Sequence, residues 1–252
     1  MNNPFNLTGK IALITGGASG IGFGIARQFV ALDATVVITG RSADKLRQAQ
    51  AQLGDRCTFF VSDVTDKAAH TELIRQIETI VGPLTTLVNN AGIHSKKPSL
   101  DATDEEFQAV LNTNLLSVFS LTREALRVMI PRQSGSIINI SSMSALFGLT
   151  QVAAYSSAKT ALLGLTRTLA SEYSHTGVRV NAVAPGFIES EMFLRIMEQD
   201  PARKAKILSR TPAGRFGTPA DIGGAVAFLA SDAAAFITGV CLPVDGGNSI
   251  GF

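Results

Sequence analysis

The sequence lacks the features that mark membrane, secreted and nucleic-acid-binding proteins. No apolar run reaches the roughly 18 residues of a membrane-spanning helix, and the opening MNNPFNLTGK has neither the cationic start nor the apolar core of a secretory signal. The charges are scattered and sum to 22 − 20 = +2, so neither a nucleic-acid footprint nor a polybasic anchor is indicated. We expect a cytoplasmic protein without a nucleic-acid or membrane partner.

Cysteine is scarce as well. Cys57 and Cys241 lie in separate strand-like runs, without the spacing of metal ligands or of a disulfide framework. We expect both to be small core residues in a reducing compartment, and we expect no metal site.

What the sequence does contain is an alternation of short apolar runs and segments of helical periodicity. Its 252 residues, 46% of them hydrophobic, suffice for one α/β domain with a sizeable core. The alternation predicts a Rossmann-type, doubly wound sheet of seven parallel strands with helices on both faces, in a single domain over 1–252. The predicted strands are 10–15, 35–39, 58–62, 84–88, 137–140, 178–183 and 240–244.

A glycine-rich turn follows the first predicted strand and precedes a helix expected to begin near Phe23. Such a turn brings backbone N–H groups and the positive end of a helix to a pyrophosphate. The alternative is a loop whose glycines serve only backbone positions of positive φ. The spacing T-G-x-x-x-G-x-G predicts a dinucleotide site at Gly16, Ser19, Gly20, Ile21 and Gly22.

The end of the second predicted strand indicates which dinucleotide binds. An acidic residue here would hold the ribose 2′-hydroxyl, but Gly40 occupies that position and Arg41 and Ser42 follow. A guanidinium suits a 2′-phosphate, so we favour NADP(H). NAD(H) is the alternative, because Arg41 also suits a surface turn and Ser19 supplies no second cation.

Polar and small residues also follow the next strands. Asp63, with Val64 beside it, is expected either to accept a hydrogen bond from the adenine amino group or to cap a helix starting near Asp66. The turn after the fourth strand is expected to lie along the cofactor's ribose, or its amides satisfy local backbone groups. The turn after the sixth strand is expected to redirect the chain over the nicotinamide. These two turns contain Asn90, Ala91 and Gly92, and Pro185 and Gly186.

The stretch from the fifth strand into the next helix contains a pattern suited to proton transfer. Tyr155 and Lys159 are four residues apart and share a helix face. A cation about 5 Å from a phenol, at an effective dielectric constant of about 20, favours the phenolate by roughly 3 kcal/mol, or about two pKa units. We therefore expect Tyr155 to titrate near working pH, with Ser142 at the ligand-binding end of the strand. The alternative is an ordinary solvated helix face.

The long helix after Asp104 carries Asn112 and Asn114 within an apolar run. Buried amides cost stability unless they are hydrogen bonded. We expect a water molecule or a lysine as their partner.

Taken together, these motifs resemble the short-chain dehydrogenase/reductase family in its single-domain form, and the gluconate 5-dehydrogenase-like and 3-oxoacyl-[acyl-carrier-protein] reductase-like members in particular. The resemblance extends over almost the whole chain. It rests on TGGASGIG at 15–22, NNAG at 89–92, Asn114, Ser142, YSSAK at 155–159 and APG at 184–186.

The resemblance implies an enzyme that transfers hydride between a nicotinamide and a ketone or secondary alcohol. It gives Tyr155 the role of general acid/base, and gives Lys159 the roles of lowering its pKa and holding the nicotinamide ribose. Ser142 would polarise the carbonyl, and Asn114 would anchor a proton-relay water. The backbone of Ile188 would contact the carboxamide.

The resemblance also implies a homotetramer, in which the carboxyl-terminal residues 249–252 pack across an interface. A frayed terminus is the alternative. A non-catalytic NAD(P)-binding sensor or scaffold would be expected to lack part of the catalytic set, which is complete here.

The substrate is expected to be a small carbonyl compound or alcohol. In the turn 93–98, His94, Lys96 or Lys97 is expected to attract the carboxylate of a keto-sugar acid; a solvated basic turn is the alternative. A less polar ketone or a 3-oxoacyl thioester also suits the framework, and residues 187–212 are expected to form a lid. Further pocket candidates are Ser144, Phe147, Leu149, Phe187, Met192 and Met197.

Overall fold

The computed structural model describes residues 3–251 and, within that range, all side chains except those of Glu191, Met192 and Ile196. The predicted contact of Met192 with substrate and the predicted packing of Phe252 therefore lie outside the described residues. No helix within the described range is long and apolar enough to cross a membrane.

A single sheet of seven parallel strands forms the centre of the molecule, in the order β3-β2-β1-β4-β5-β6-β7. This confirms the predicted doubly wound, Rossmann-type class and the approximate position of every strand. The strands are β1 Ile11–Thr15, β2 Thr35–Gly40, β3 Cys57–Val61, β4 Thr86–Asn89, β5 Gly135–Ile140, β6 Val178–Pro185 and β7 Cys241–Val244.

Helices cover both faces of the sheet, because its central strands are apolar on both sides. One core contains Phe29, Leu46 and Val226, from helices on one face. The other contains Ile77 and Leu121, from helices on the opposite face. The helices are α1 Gly20–Ala31, α2 Ala43–Leu53, α3 His70–Ile80, α4 Asp104–Leu111, α5 Ser117–Met129, α6 Ala153–Tyr173, α7 Glu191–Gln199, α8 Pro201–Ser209 and α9 Pro219–Ala230.

Two helical segments differ from the sequence prediction. Helix α1 begins at Gly20, three residues before Phe23, so the last glycines of the turn belong to its first helical turn. The long helix after Asp104 is interrupted by a π-helical segment, Asn112–Leu116, which separates α4 from α5. Single π-helical turns are frequent at functional sites.

The order of the strands places a crevice at the carboxyl ends of β1 and β4. Chain connections leave β1 in opposite directions across the sheet, so the helices on either side diverge there. Strands β1 and β4 pair with each other in parallel, through Ala12↔Thr86, Leu13↔Leu87 and Ile14↔Val88. The turns that follow these two strands are therefore brought together.

The carboxyl terminus is hydrogen bonded as far as Gly251, whose backbone N–H donates to the Gly247 carbonyl oxygen at 2.8 Å. The alternative of a frayed end is therefore wrong for residues 249–251. The side chain of Ile250 is nevertheless 79% exposed.

Close contact between α1 and α9 fixes the position of the glycine-rich turn. A Cβ atom on Gly24 would overlap Pro219, and one on Gly223 would lie 2.8 Å from the Gly24 carbonyl oxygen. Small residues are required at both positions because the two helix backbones approach each other directly. Helix α1 is thereby held with its amino terminus at the crevice.

We expect Gly223→Ala to lower the free energy of unfolding by about 1–3 kcal/mol, because the added methyl group overpacks the contact between α1 and α9. Gly224→Ala is the matched control in the same helix: its Cβ would meet no atom within 4 Å. We expect it to raise stability by up to about 1 kcal/mol through helix propensity. Urea unfolding of both variants measures the effects, and equal changes would contradict this account of the packing.

Candidate active site

The glycine-rich turn after β1 forms one wall of the crevice. Gly16 and Gly20 have φ angles of +66° and +53°, which residues other than glycine rarely adopt. A Cβ atom on Gly22 would overlap the Gly16 carbonyl oxygen. The turn thus lies flat against the start of α1, and the space that it leaves suits the close approach of a pyrophosphate.

The turn after β4 is hydrogen bonded to the glycine-rich turn. The Asn90 Nδ2 atom donates to the Thr15 carbonyl oxygen at 2.8 Å. The Thr15 hydroxyl in turn accepts from the backbone N–H groups of Asn90 and Ala91, each at 3.0 Å. The Asn90 side chain therefore satisfies a local backbone group, which is one of the two alternatives expected for this turn. The turn also lines the crevice.

A cleft of about 800 Å³ runs along these turns at the carboxyl ends of β1 to β4. Its size is within the range of about 300–1,000 Å³ typical of ligand sites. The predicted cofactor residues that line it are Gly16, Ser19, Gly20, Ile21, Gly22, Arg41, Ser42, Asp63, Val64, Asn90, Ala91, Gly92 and Ile188.

The end of the cleft beside β2 carries two cations. Arg41 is exposed and lines the cleft, as predicted, and Lys45 lines it as well. Sequence reasoning missed Lys45 and looked for a second cation only in the glycine-rich turn. The signal was present: Ser42 caps α2 by accepting from the Lys45 backbone N–H at 3.4 Å. Lys45 therefore lies in the first turn of α2, and both cations line the same end of the cleft.

Asp63 lies on the cleft wall and does not cap the following helix. Its carboxylate accepts from the Thr65 backbone N–H at 2.9 Å and from the Thr65 hydroxyl at 2.8 Å. These bonds, with Arg41 nearby, hold the pKa of the Asp63 carboxyl below its usual value. Asp66 is the cap instead and accepts from the Ala69 backbone N–H. The capping alternative for Asp63 is therefore wrong.

A second cavity, of about 410 Å³, continues from the cleft towards the carboxyl end of β5. Ile21, Asn90 and Ile188 line both spaces, so the two form a continuous site. The predicted residues that line the second cavity also include Gly92, His94, Ser142, Tyr155, Lys159, Pro185, Gly186 and Phe187.

Tyr155 and Lys159 meet within this cavity. The Lys159 Nζ atom lies 5.6 Å from the centroid of the Tyr155 ring and donates to the Ile140 carbonyl oxygen at 2.7 Å. Lys159 is buried, and burial lowers its pKa to about 8. The helical spacing thus brings the cation to the phenol, as the sequence predicts.

In the protein alone, the pKa of Tyr155 is not lowered as the sequence analysis expects. Burial raises the pKa of the Tyr155 phenol, and a hydrogen bond from Ser142 only partly opposes this shift. The sequence prediction was wrong because it counted the attraction of the cation and left out the loss of hydration on burial. In the folded chain the phenolate loses its hydration, and the ammonium group is occupied by a carbonyl oxygen.

Asn114 is fully buried in the π-helical segment and forms a reciprocal pair with the backbone of Ile93. Its Oδ1 accepts from the Ile93 N–H at 2.8 Å, and its Nδ2 donates to the Ile93 carbonyl oxygen at 2.8 Å. The expected lysine partner is confirmed for Asn112, which accepts from Lys67 Nζ at 3.1 Å, whereas the hydrogen-bond partner of Asn114 among the described residues is the Ile93 backbone. Asn114 therefore fixes the turn after β4, and its role with a water molecule stays a prediction.

Gly92 brings the β4 turn close to Lys159. A Cβ atom at Gly92 would lie 3.0 Å from Asn114 Oδ1 and 3.7 Å from Lys159 Nζ. A larger residue would therefore crowd the Asn114 amide oxygen, while the ammonium group would lie at ordinary contact distance. The absence of a side chain at this position keeps the three elements in contact.

The two neighbouring serines have different surroundings. Ser142 lines the cavity and accepts from the Ser144 backbone N–H at 3.1 Å. The Ser144 side chain is buried, forms no hydrogen bond to the described residues, and does not line the cavity. Its predicted contact with substrate is thus not supported by its position.

His94 lies against Tyr155. Its ring centroid is 4.7 Å from that of Tyr155, at an interplanar angle of 56°. Burial lowers the pKa of His94, and the nearby cations Lys96 and Arg203 lower it further. Lys97 is instead bound to Glu106 at 3.0 Å. Of the three basic residues predicted to attract an acid, His94 lines the cavity in a form that favours the neutral ring, Lys96 supplies a positive charge near it, and Lys97 is paired with a carboxylate.

The segment predicted as a lid contains the two short helices α7 and α8. They pack on a small cluster that includes Phe187, Phe193 and Phe216. Met197 is buried within this cluster and does not line the cavity. Phe187 packs against the cluster and also lines the cavity. Phe147 and Leu149 are half-buried and also do not line the cavity.

Comparisons with known proteins agree with this geometry. The family model described as enoyl-(acyl carrier protein) reductase matches residues 16–249. A 3-oxoacyl-[acyl-carrier-protein] reductase of Haemophilus influenzae is 42% identical over 241 residues, which cover 96% of this chain and 98% of the relative.

Solved structures show the same similarity. A protein of Agrobacterium tumefaciens assigned as a gluconate dehydrogenase has a TM-score of 0.96 and 32% identity, with full coverage of both chains. A protein of Beutenbergia cavernae assigned as an NAD(P)-dependent gluconate 5-dehydrogenase, with NADP bound at low occupancy, has a TM-score of 0.92 and 37% identity, covering 98% of this chain and 99% of that one. The chain therefore belongs to the short-chain dehydrogenase/reductase family of oxidoreductases.

Proposed function

We propose that this oxidoreductase interconverts a ketone and a secondary alcohol with NADP(H), and with NAD(H) as the weaker alternative. The observation that carries the proposal is the convergence of Tyr155, Lys159 and Ser142 in a cavity continuous with the cleft beneath the glycine-rich turn. The NADP bound to the Beutenbergia relative supports the choice of dinucleotide. The complete catalytic set argues against a non-catalytic sensor or scaffold.

The proposed cofactor contacts follow the walls of the cleft. Residues 16–22 would receive the pyrophosphate, and Arg41 with Ser42 and Lys45 would receive the 2′-phosphate. Asp63 and Val64 would border the adenine, residues 90–92 the ribose, and Pro185, Gly186 and Ile188 the nicotinamide. When bound, the dinucleotide supplies the hydride or accepts it.

The chain's own residues handle the proton. Tyr155 would donate its hydroxyl proton to the carbonyl oxygen during reduction, while Ser142 would donate a hydrogen bond to the same oxygen. Lys159, with its pKa of about 8, is largely cationic at neutral pH and would stabilise the phenolate that forms. Because burial raises the pKa of Tyr155, the acid form needed for reduction predominates at neutral pH. Asn114 would hold the turn against which a relay water binds.

Two substrate classes fit this reaction. The 42% identity to a 3-oxoacyl-[acyl-carrier-protein] reductase supports a 3-oxoacyl thioester. The structural relatives assigned as gluconate dehydrogenases support a keto-sugar acid, and one feature of this chain favours that class. His94 lines the cavity, and Lys96 and Arg203 lie near His94, where they would attract a carboxylate. Residues 187–212 would close over either substrate.

We propose further that the protein is cytoplasmic and forms a homotetramer. Leu116 and Phe119 are 39% and 44% exposed near the start of α5, and Val240 and Ile250 are 40% and 79% exposed beside β7. Strand β7 is an edge of the sheet within the described residues. Exposed apolar groups at two separate places are consistent with two interfaces per subunit.

We expect Tyr155→Phe to lower kcat for carbonyl reduction by about 10²–10⁴-fold, because the variant has no proton to donate. Binding of NADPH, measured by nicotinamide fluorescence, should change by less than about threefold. Retention of most of the wild-type turnover would contradict the role of Tyr155. Tight NADPH binding by a wild-type chain that reduces no ketone would instead favour the sensor hypothesis.

We expect Arg41→Gln and Lys45→Gln each to raise KM for NADPH by about tenfold and to leave KM for NADH nearly unchanged, because each removes a cation expected to contact only the 2′-phosphate. Steady-state kinetics with both dinucleotides measure the effect. Arg47→Gln is the control on the same helix, since Arg47 is bound to Asp44 at 2.7 Å. Equal changes with NADPH and NADH would rule out recognition of the 2′-phosphate.

We expect Lys96→Gln to raise KM for 5-ketogluconate by about fivefold at unchanged kcat. The substitution removes an attraction of about 1 kcal/mol between the Lys96 ammonium group and the substrate carboxylate. KM for a neutral ketone and for an acetoacetyl thioester should change less. Lys97→Gln is the matched control, because Lys97 is already bound to Glu106. A wild-type enzyme that prefers the thioester and ignores the acid would refute the sugar-acid assignment and leave the oxidoreductase intact.

A further inference from the structure

A fully buried histidine lies behind the cleft, away from the catalytic pair. His70 is the first residue of α3 and has 0% exposure. Its Nε2 atom is 3.1 Å from the Val64 carbonyl oxygen, and its Nδ1 atom is 3.0 Å from the Ser120 hydroxyl on α5. Both ring nitrogens are therefore used, and neither contacts a residue of the proposed proton transfer.

These two partners determine the tautomer of the ring. A carbonyl oxygen can only accept a hydrogen bond, so Nε2 must carry the hydrogen. In the neutral ring Nδ1 then accepts from the Ser120 hydroxyl. Burial lowers the pKa of His70, against weaker opposing contributions from Val64, Asp66 and Glu124. The neutral ring is thus held in one tautomer and one orientation.

Val64 connects this histidine to the cleft. It lines the cleft between Asp63 and Thr65, and Thr65 is bound to the Asp63 carboxylate. Residues 63–65 form a short wall of the cleft. The Asp63–Thr65 bonds hold the two ends of this wall together, and the bond between His70 and the Val64 carbonyl oxygen holds its middle residue from the side away from the cleft. Nothing apolar of the same size could replace that second bond without leaving the carbonyl oxygen unpaired.

Two more polar contacts join the same region to the helix opposite. Lys67 Nζ donates to Asn112 Oδ1 at 3.1 Å, and the Thr71 hydroxyl donates to Glu124 at 3.3 Å. The His70–Ser120 bond lies between them and is the one that continues to the cleft wall, through Val64. It links the wall to α5, whose buried face packs in the core below the sheet.

We propose that His70 is a positioning residue for the adenosine half of the dinucleotide: by bridging Ser120 and the Val64 carbonyl, it sets the wall of the cleft at 63–65. The proposal rests on the proposed function only in requiring that this cleft binds a dinucleotide. The nicotinamide end of the site, formed by other elements, is independent of His70.

The test compares two polar replacements of His70. Glutamine extends its amide to about the position of Nε2 and preserves a donor to the Val64 carbonyl. Asparagine preserves a polar atom near Nδ1, within reach of Ser120, but has no atom that reaches Val64. Both remove the same aromatic ring and differ from each other by one methylene group, so each controls for the loss of the ring in the other. Ser117→Ala is a further control, because the buried Ser117 hydroxyl donates to the Thr113 carbonyl oxygen one turn earlier and not to the wall 63–65.

The probe is adenosine 2′,5′-bisphosphate, which contains the adenosine half and no nicotinamide. By titration calorimetry we expect His70→Asn to raise its Kd by about tenfold, and His70→Gln and Ser117→Ala to change it by less than about threefold. In turnover with NADPH, His70→Asn should raise KM for NADPH and leave kcat and the KM of the ketone unchanged. His70→Asn should also unfold at a lower temperature than His70→Gln, because it leaves the Val64 carbonyl oxygen unpaired, and binding is therefore measured well below both unfolding transitions.

Several results would overturn the proposal. One is a wild-type Kd in His70→Asn; another is an equal loss of affinity in His70→Asn and His70→Gln, which would indicate a purely structural role. A fall in kcat without a change in probe binding would also overturn it. If the wild-type chain binds neither the probe nor NADPH, the proposed function fails, and this proposal fails with it.

Discussion

A buried ammonium group determines how the rest of the site is built. Among the side chains that the structure describes, no carboxylate pairs with the buried Lys159, and its Nζ atom is bound to the Ile140 carbonyl oxygen at 2.7 Å. Such a charge is tolerated only where the surrounding dipoles are fixed. The end of β5 supplies one of them, and helix α6 holds the side chain beside Tyr155. The pKa of about 8 reflects how incomplete the compensation is, and this leaves Lys159 able to respond to what binds next to it.

Fixing those dipoles requires a rigid base under the cavity, which buried amides provide. Asn89 Nδ2 donates at 2.9 Å both to the Thr122 hydroxyl and to Asn139 Oδ1. Asn139 Nδ2 donates at 3.0 Å to the Thr166 hydroxyl. This chain of bonds joins β4 and β5 to α5 and α6, and α6 carries Tyr155 and Lys159. A fully satisfied polar network inside a core specifies one arrangement more strictly than apolar packing does.

The parts of this structure that were predictable from sequence are those set by local pattern. The alternation of strands and helices gave the sheet, and the four-residue spacing of Tyr155 and Lys159 gave their contact. The errors have a common cause, because each concerns which partner a polar group finds in three dimensions. Asn114 bonds to Ile93 and not to a lysine, Asp66 and not Asp63 caps the next helix, and the Tyr155 pKa depends on burial that spacing does not reveal. Lys45 was within reach of sequence reasoning, since the Ser42 cap defines its place in α2.

The pairing of β1 with β4 also bears on how the protein matures. The cleft needs the turn after β1 and the turn after β4 side by side, joined through Thr15 and Asn90, although a whole strand-and-helix excursion through β2 and β3 separates them in the chain. Contacts between distant segments form late and slowly, since the intervening chain must be ordered first. During synthesis the glycine-rich turn therefore emerges long before its partner. The ability to hold a dinucleotide is a property of the nearly complete sheet, and a ligand that binds there stabilises the finished fold over its precursors.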